Sequence, residues 1–146
     1  MTVYADNAAT TQMSKSVLDS MMPMLTDIYG NPSSLHTIGQ IAKEHLEAAR
    51  ETVANCIGAD PKEIYFTSGG SEADNQAIRS AAYIGARKGK KHIISSKFEH
   101  HAVLHTLDAL KKEGFTVTLL DVYSNGIVKP EDVANAITDE TCLVTI

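Results

Sequence analysis

Polar and apolar positions change rhythm partway along the chain. In the first part they recur at helical spacing. Val17, Leu18, Met21, Met24, Leu25 and Ile28 predict a helix from Ser14 to about Tyr29, which Pro23 should kink because it has no amide hydrogen to give. Ile38, Ile41, Ala42, Leu46, Ala49, Val53 and Ile57 trace one face of a longer helix, with Gly58 placed to end it. Between the two, Gly30 to Ser34 is a loop by composition.

Beyond Gly58 the apolar positions gather into short runs: Ile64-Tyr65-Phe66, Ile93-Ile94, Val117 to Leu120 and Cys142 to Ile146. Stretches with helical spacing separate them, at about Ser71 to Lys88, Ala102 to Glu113 and Glu131 to Ile137, the last opened by Pro130. Alternation of this kind predicts the α/β class, with right-handed crossovers joining a mostly parallel sheet that helices cover on both faces. Cys142 to Ile146 reads as an interior strand with no turn, cap or polar tail after it, so the chain is expected to be a truncated piece of a longer protein. Its 146 residues, 43% of them apolar and 21% charged, suit one packed unit and leave no room for a second domain of ordinary size.

Charge and targeting signals narrow the partners. The formal net charge is −5, and the 13 Lys and Arg residues are scattered apart from Lys88, Lys90 and Lys91, which argues against nucleic acid. The N-terminus lacks the basic start and apolar run of a secretion signal, and no stretch approaches a membrane span, so a cytoplasmic setting with no membrane partner is expected. Two cysteines, Cys56 and Cys142, are too few for a disulfide framework and lack the spacing of a metal site.

The chemistry concentrates at two predicted helix starts. In Thr67-Ser68-Gly69-Gly70-Ser71-Glu72, two glycines allow a ligand close to the backbone, first-turn amides point outward and Ser71 adds a hydroxyl, which together suit a phosphate monoester. A tight turn with Ser71 as the N-cap explains the same residues, and spacing alone does not choose. The segment is neither a Walker loop nor a dinucleotide fingerprint. Glu99-His100-His101 follows the Ile93-Ile94 run and opens the next helix, at the carboxyl edge of the sheet where ligands of open α/β folds gather. An imidazole there could stack on a planar ring and relay protons near neutral pH, or simply stand at the surface. His101 and His105 share a helix face, but no third ligand is evident, and no metal is expected.

Four segments together, Asp6-Asn7-Ala8-Ala9-Thr10-Thr11, Gly30-Asn31-Pro32-Ser33-Ser34, Thr67 to Glu72 and Glu99 to Leu104, resemble the N-terminal part of cysteine desulfurases. These are pyridoxal 5′-phosphate (PLP) enzymes of the class V aminotransferase group, with the type I PLP-dependent transferase fold. The resemblance implies that residues 1–146 are the N-terminal segment and first part of the large PLP-binding domain. It assigns the PLP phosphate to Gly70 and Ser71, where many relatives carry Thr in place of Ser71, and gives His100 a catalytic place stacked on the pyridine ring. The first two segments resemble stretches that line the active-site entrance, the second near a subunit interface.

For the parent enzyme the resemblance implies that PLP, held as a Schiff base on a lysine, takes L-cysteine. A cysteine thiolate then removes sulfur as a persulfide, leaving alanine, for delivery to a sulfur-acceptor protein by a homodimer. The lysine, the Asp that pairs with the pyridinium nitrogen and the nucleophilic cysteine are expected beyond Ile146, so these residues alone should neither bond PLP covalently nor turn over cysteine. Cys56, on the apolar stripe of the long helix, and Cys142, in an apolar run, are both expected to be buried and neither to be the nucleophile. A selenocysteine lyase, another class V aminotransferase, a non-catalytic dimerisation or binding module built on Asn31 to His36, and a nucleotide or sugar-phosphate binder are the alternatives.

Overall fold

Composition alone treats the chain as one unit. In the computed structural model, which describes residues 2–146, backbone contacts divide it into two compact units, Met1–Tyr65 and Phe66–Ile146.

The first unit is built on two helices. Helix α1 spans Lys15–Thr26, and the Ser14 hydroxyl caps it by accepting the Val17 amide at 3.3 Å. It ends earlier than its apolar spacing predicts, because the Asp27 and Ile28 amides both fold back to the Pro23 carbonyl, at 2.9 and 2.8 Å. Helix α2 spans Thr37–Ile57 and ends at Gly58, whose φ of +68° is the left-handed conformation glycine adopts without a Cβ penalty. Its start is packed against the preceding loop. A Cβ on Gly39 would lie 2.6 Å from the Ser34 carbonyl oxygen, and Gln40 Nε2 donates to that carbonyl at 2.6 Å.

The α2 apolar stripe exists, but it is largely uncovered. Ile38 is 51% and Ile57 68% exposed, and only Gly39 and Ala54 are buried along the helix. Cys56 is exposed, contrary to the expected burial. The buried residue of that turn is Ala54, and a position two residues on lies about 200° round the helix from it. Ile64-Tyr65-Phe66 is not a strand, although Ile64 itself has extended dihedrals. The Ile64 carbonyl accepts from the Arg50 guanidinium rather than from a neighbouring ladder.

The second unit carries the sheet. Helix α3 spans Gly70–Ala86, followed by β1 (His92–Ser96), α4 (His101–Lys112), β2 (Thr116–Leu120), α5 (Pro130–Ala136) and β3 (Thr141–Val144). All pairings are parallel in the order β2-β1-β3, and central β1 is buried at all five positions. Ile78 and Ala82 of α3, Ile93 of β1, Val103, Leu107 and Leu110 of α4, and Phe115 form its core. That core explains why α3 and α4 form where periodicity puts them: their apolar faces have a sheet to cover. A Cβ on Gly85 would overlap the Cys142 side chain, so glycine sets how closely α3 approaches β3.

Because α3 runs into β1 through a short connection, its N-terminus lies toward the carboxyl edge of the sheet. The start of α4, just after β1, lies on that edge as well. At the other end, buried His92 ties the three strands: its Nδ1 meets Thr141 Oγ1 at 2.8 Å and its Nε2 meets Thr118 Oγ1 at 2.9 Å.

Candidate cofactor site

Helix α3 begins without a side-chain cap. Gly69 is its N-cap, in extended conformation, and the first intrahelical bond is Ala73 N–H to Gly69 O at 3.1 Å. The amides of Gly70, Ser71 and Glu72 therefore precede the ladder and have no partner among the described residues. A Cβ on Gly69 or Gly70 would meet no atom within 4 Å, so the space over this turn is open. Ser71 is the second helical residue rather than the N-cap its sequence position allows, and its hydroxyl makes no bond to the described residues.

The acidic residue of this first turn is drawn aside. Glu72 Oε2 accepts from both the Ser68 amide and the Ser68 hydroxyl, each at 2.6 Å. The hydroxyl bond first, and the amide bond next, hold its exposed carboxyl below the usual carboxylate range. Thr67 Oγ1 adds a bond to the Gly69 carbonyl at 3.1 Å, and Asn75 Nδ2 donates to the Ser71 carbonyl at 2.9 Å. The turn is thus fixed from outside while its amides stay open.

Helix α4 begins differently. His100 is its N-cap, with φ −60° and ψ 149°, and its Nδ1 accepts the Ala102 amide at 3.0 Å. His101 and His105, one turn apart, stack with ring centroids 5.3 Å apart.

Both helix starts open onto one cavity of about 480 Å³, lined by Ser71, Asn75 and Arg79 of α3 and by His100, His101, Ala102, His105 and Thr106. Of the residues singled out in the sequence, Ser71 and His100 are brought together here, and Gly70 stands directly before Ser71. Asn75 and Arg79 were not singled out. Their signal is the spacing Ser71, Asn75, Arg79, which puts them on one face of the helix. The Arg79 guanidinium meets Glu113 at 3.2 Å and the Tyr83 hydroxyl at 3.3 Å, and the Tyr83 hydroxyl donates to Glu113 at 2.9 Å. The Tyr83 contact, ahead of the Glu113 carboxylate, raises its pKa further above the ordinary value.

Neither cysteine lines the cavity. The Cys142 thiol donates to the His92 carbonyl at 3.3 Å, and burial pushes its pKa up, away from the thiolate. Among the described residues, no group of three or more His, Cys, Asp or Glu side chains is placed to hold a metal ion, and no helix is long and apolar enough to cross a membrane.

A parallel sheet, an uncapped, glycine-led helix start and an imidazole near one cavity supply hydrogen-bond donors and a flat ring side by side, and the sequence places the chain in a family. The chain belongs to the aminotransferase class-V family, whose profile matches residues 3–146. It is 51% identical over 144 residues to cysteine desulfurase IscS of Clostridium botulinum, covering 99% of this chain and 36% of that protein. Among solved structures it is similar to a NifS-like protein, with TM-score 0.93 and 40% identity over 99% of this chain and 39% of the other. It is also similar to SspA in complex with cysteine, with TM-score 0.91 and 40% identity over 98% of this chain and 41% of the other. The chain thus spans a little over a third of the length of these relatives. Membership of this family implies PLP as the cofactor of the parent enzyme.

Proposed function

We propose that the unit Phe66–Ile146 carries the phosphate- and ring-binding side of the PLP site of a cysteine desulfurase. On this proposal, residues 1–146 are the N-terminal segment and the first part of its large domain. The observation that carries it is the cavity that Ser71 of α3 and His100 of α4 both line, with the unbonded first-turn amides of α3 adjoining it in the chain. The residues fit the group: three amides without a protein partner and open space over Gly69 and Gly70 suit a phosphate dianion at a helix N-terminus.

Gly70 and Ser71 would hold the phosphate through their amides and the Ser71 hydroxyl, and His100 would lie against the flat ring as the catalytic residue of this segment. When bound, PLP supplies an electron sink for bond cleavage in an amino acid. The substrate is L-cysteine, whose sulfur passes to an acceptor thiol as a persulfide while alanine is released. A sulfur-acceptor protein, a homodimer and a cytoplasmic setting complete the proposal. It is supported by the likeness to cysteine desulfurase IscS and to a relative solved with cysteine.

The test is sulfide release from L-cysteine by the purified protein at its natural length, with the affinity for pyridoxine 5′-phosphate measured alongside. Sulfide release abolished by removing PLP is expected. Micromolar phosphate-dependent binding with no action on L-cysteine would sink the desulfurase assignment, and absence of both would sink the site.

A further inference from the structure

An imidazole has two nitrogens, and in His100 one of them is already engaged. A backbone N–H can only donate, so the Ala102 amide at 3.0 Å from Nδ1 requires a lone pair there. The single ring proton of neutral His100 must then sit on Nε2, which makes no hydrogen bond to the described residues. The cap is structural as well: with ψ of 149° His100 stands outside the helix, and its ring satisfies one of the amides that α4 otherwise leaves open.

We propose that the cap of α4 fixes His100 as the Nε2–H tautomer, so that it meets the cavity as a hydrogen-bond donor and can exchange a proton at Nε2 only when α4 is uncapped. This deepens the proposed function, on which it rests for calling the cavity a cofactor site.

Proton accounting leads there directly. With Nδ1 holding the Ala102 amide, Nε2 already carries a proton and cannot accept another. Releasing that proton would leave an imidazolate. To give a proton from Nε2, His100 must first take one at Nδ1, which displaces the amide. To accept one at Nε2, it must already carry its proton at Nδ1, with the same result. While the cap holds, the ring is a fixed flat surface with one donor. Other groups then have to perform any base chemistry at that moment.

Charged or titratable neighbours are His101 and His105 on α4, Arg79 on α3 and Glu99 beside it in the chain. The His101 ring lies 6.2 Å from that of His100, centroid to centroid.

The test is nitrogen NMR on the full-length protein with 15N-labelled histidine, assigning His100 by the signal lost in His100→Asn. Asn keeps an N-cap acceptor without the ring. The neutral ring should show its proton on Nε2. On acidification, exchange of the Ala102 amide, corrected for its intrinsic rate, should quicken at least tenfold as the ring protonates, and this step should be absent in His100→Asn. A neutral ring protonated on Nδ1 overturns the proposal, as does Ala102 exchange indifferent to ring protonation. Adding pyridoxine 5′-phosphate separates the two ideas. If it leaves the His100 signals unmoved, the cofactor assignment fails while the tautomer result stands on its own.

Discussion

Helices α3 and α4 start on the same cavity and solve the problem of first-turn amides in opposite ways. α4 uses its own N-cap: the His100 imidazole occupies the Ala102 amide. α3 has only Gly69 at that place, and its one acidic first-turn residue, Glu72, is turned back onto Ser68. Uncapped helix starts are costly unless water or a ligand supplies acceptors. On the proposed function, the difference assigns the two ends of the ligand: the anion to α3, the ring to α4.

The largest expected effect comes from closing the open start. Ser71→Asp puts a carboxylate beside the unbonded amides, where it serves as acceptor and repels an anion. Losing charge-assisted bonds worth about 3 kcal/mol corresponds to roughly 100-fold weaker binding of pyridoxine 5′-phosphate. Unphosphorylated pyridoxine should bind within about twofold of the unaltered protein. Calorimetry with both ligands checks this, and an equal loss for both would erase the distinction between the helices.

Glu72 tests whether holding its carboxylate aside matters. Glu72→Ala frees Ser68 and should weaken phosphate-dependent binding about tenfold, whereas Glu72→Gln keeps an acceptor for Ser68 and should lose less. If charge alone mattered, both variants would bind phosphate more tightly. The pH dependence follows from the sign of the shift. A carboxyl held below its ordinary value in the folded state contributes stability that is full above that ordinary value and is lost as pH falls through the lowered one. Any stability advantage of the protein over Glu72→Gln, read from unfolding curves, should therefore be present near neutral pH and disappear below about pH 4, where both side chains are neutral.

His100 gives a smaller, stability-level effect. His100→Ala removes the α4 cap and should cost about 1 kcal/mol in thermal or denaturant unfolding, while His100→Asn should recover most of it. Neither variant keeps the ring, so both should lose ring-dependent binding to a similar extent. A parallel loss of stability in the two variants would mean that the cap is not what the imidazole contributes.

How much of this is legible in the sequence depends on the range of the interactions. Helices α2, α3 and α4 were legible because periodicity and a terminating Gly58 act within a few residues. The parallel α/β arrangement followed from alternation. Ile64-Tyr65-Phe66 misled because an apolar triplet becomes a strand only if another strand pairs with it, and no local pattern records that. The same limit hid His92, whose partners Thr118 and Thr141 lie 26 and 49 residues away. At the site, Gly70, Ser71 and His100 stood out by motif. Arg79 did not, although its place two helical turns beyond Ser71 was available to be read. Nor was the cap formed by His100 visible, since it depends on which ring nitrogen faces the Ala102 amide.

Ser68 offers the finest division of the comparison. Two bonds tie it to Glu72, one from its backbone and one from its side chain, each 2.6 Å long. Ser68→Ala deletes the hydroxyl and leaves the amide, so the carboxylate keeps an anchor and the turn keeps its direction. Phosphate-dependent binding should weaken by only about threefold, less than in Glu72→Ala, because one exposed hydrogen bond is lost while the other remains. The Glu72 carboxyl should also titrate closer to its ordinary range, since the hydroxyl bond is the larger cause of its depression. Carbonyl-carbon NMR of Glu72 in both proteins measures that directly. An unmoved titration would show that the backbone amide alone restrains the carboxylate, leaving the geometry of the Thr67–Gly69 turn, and not the serine hydroxyl, to keep α3 open.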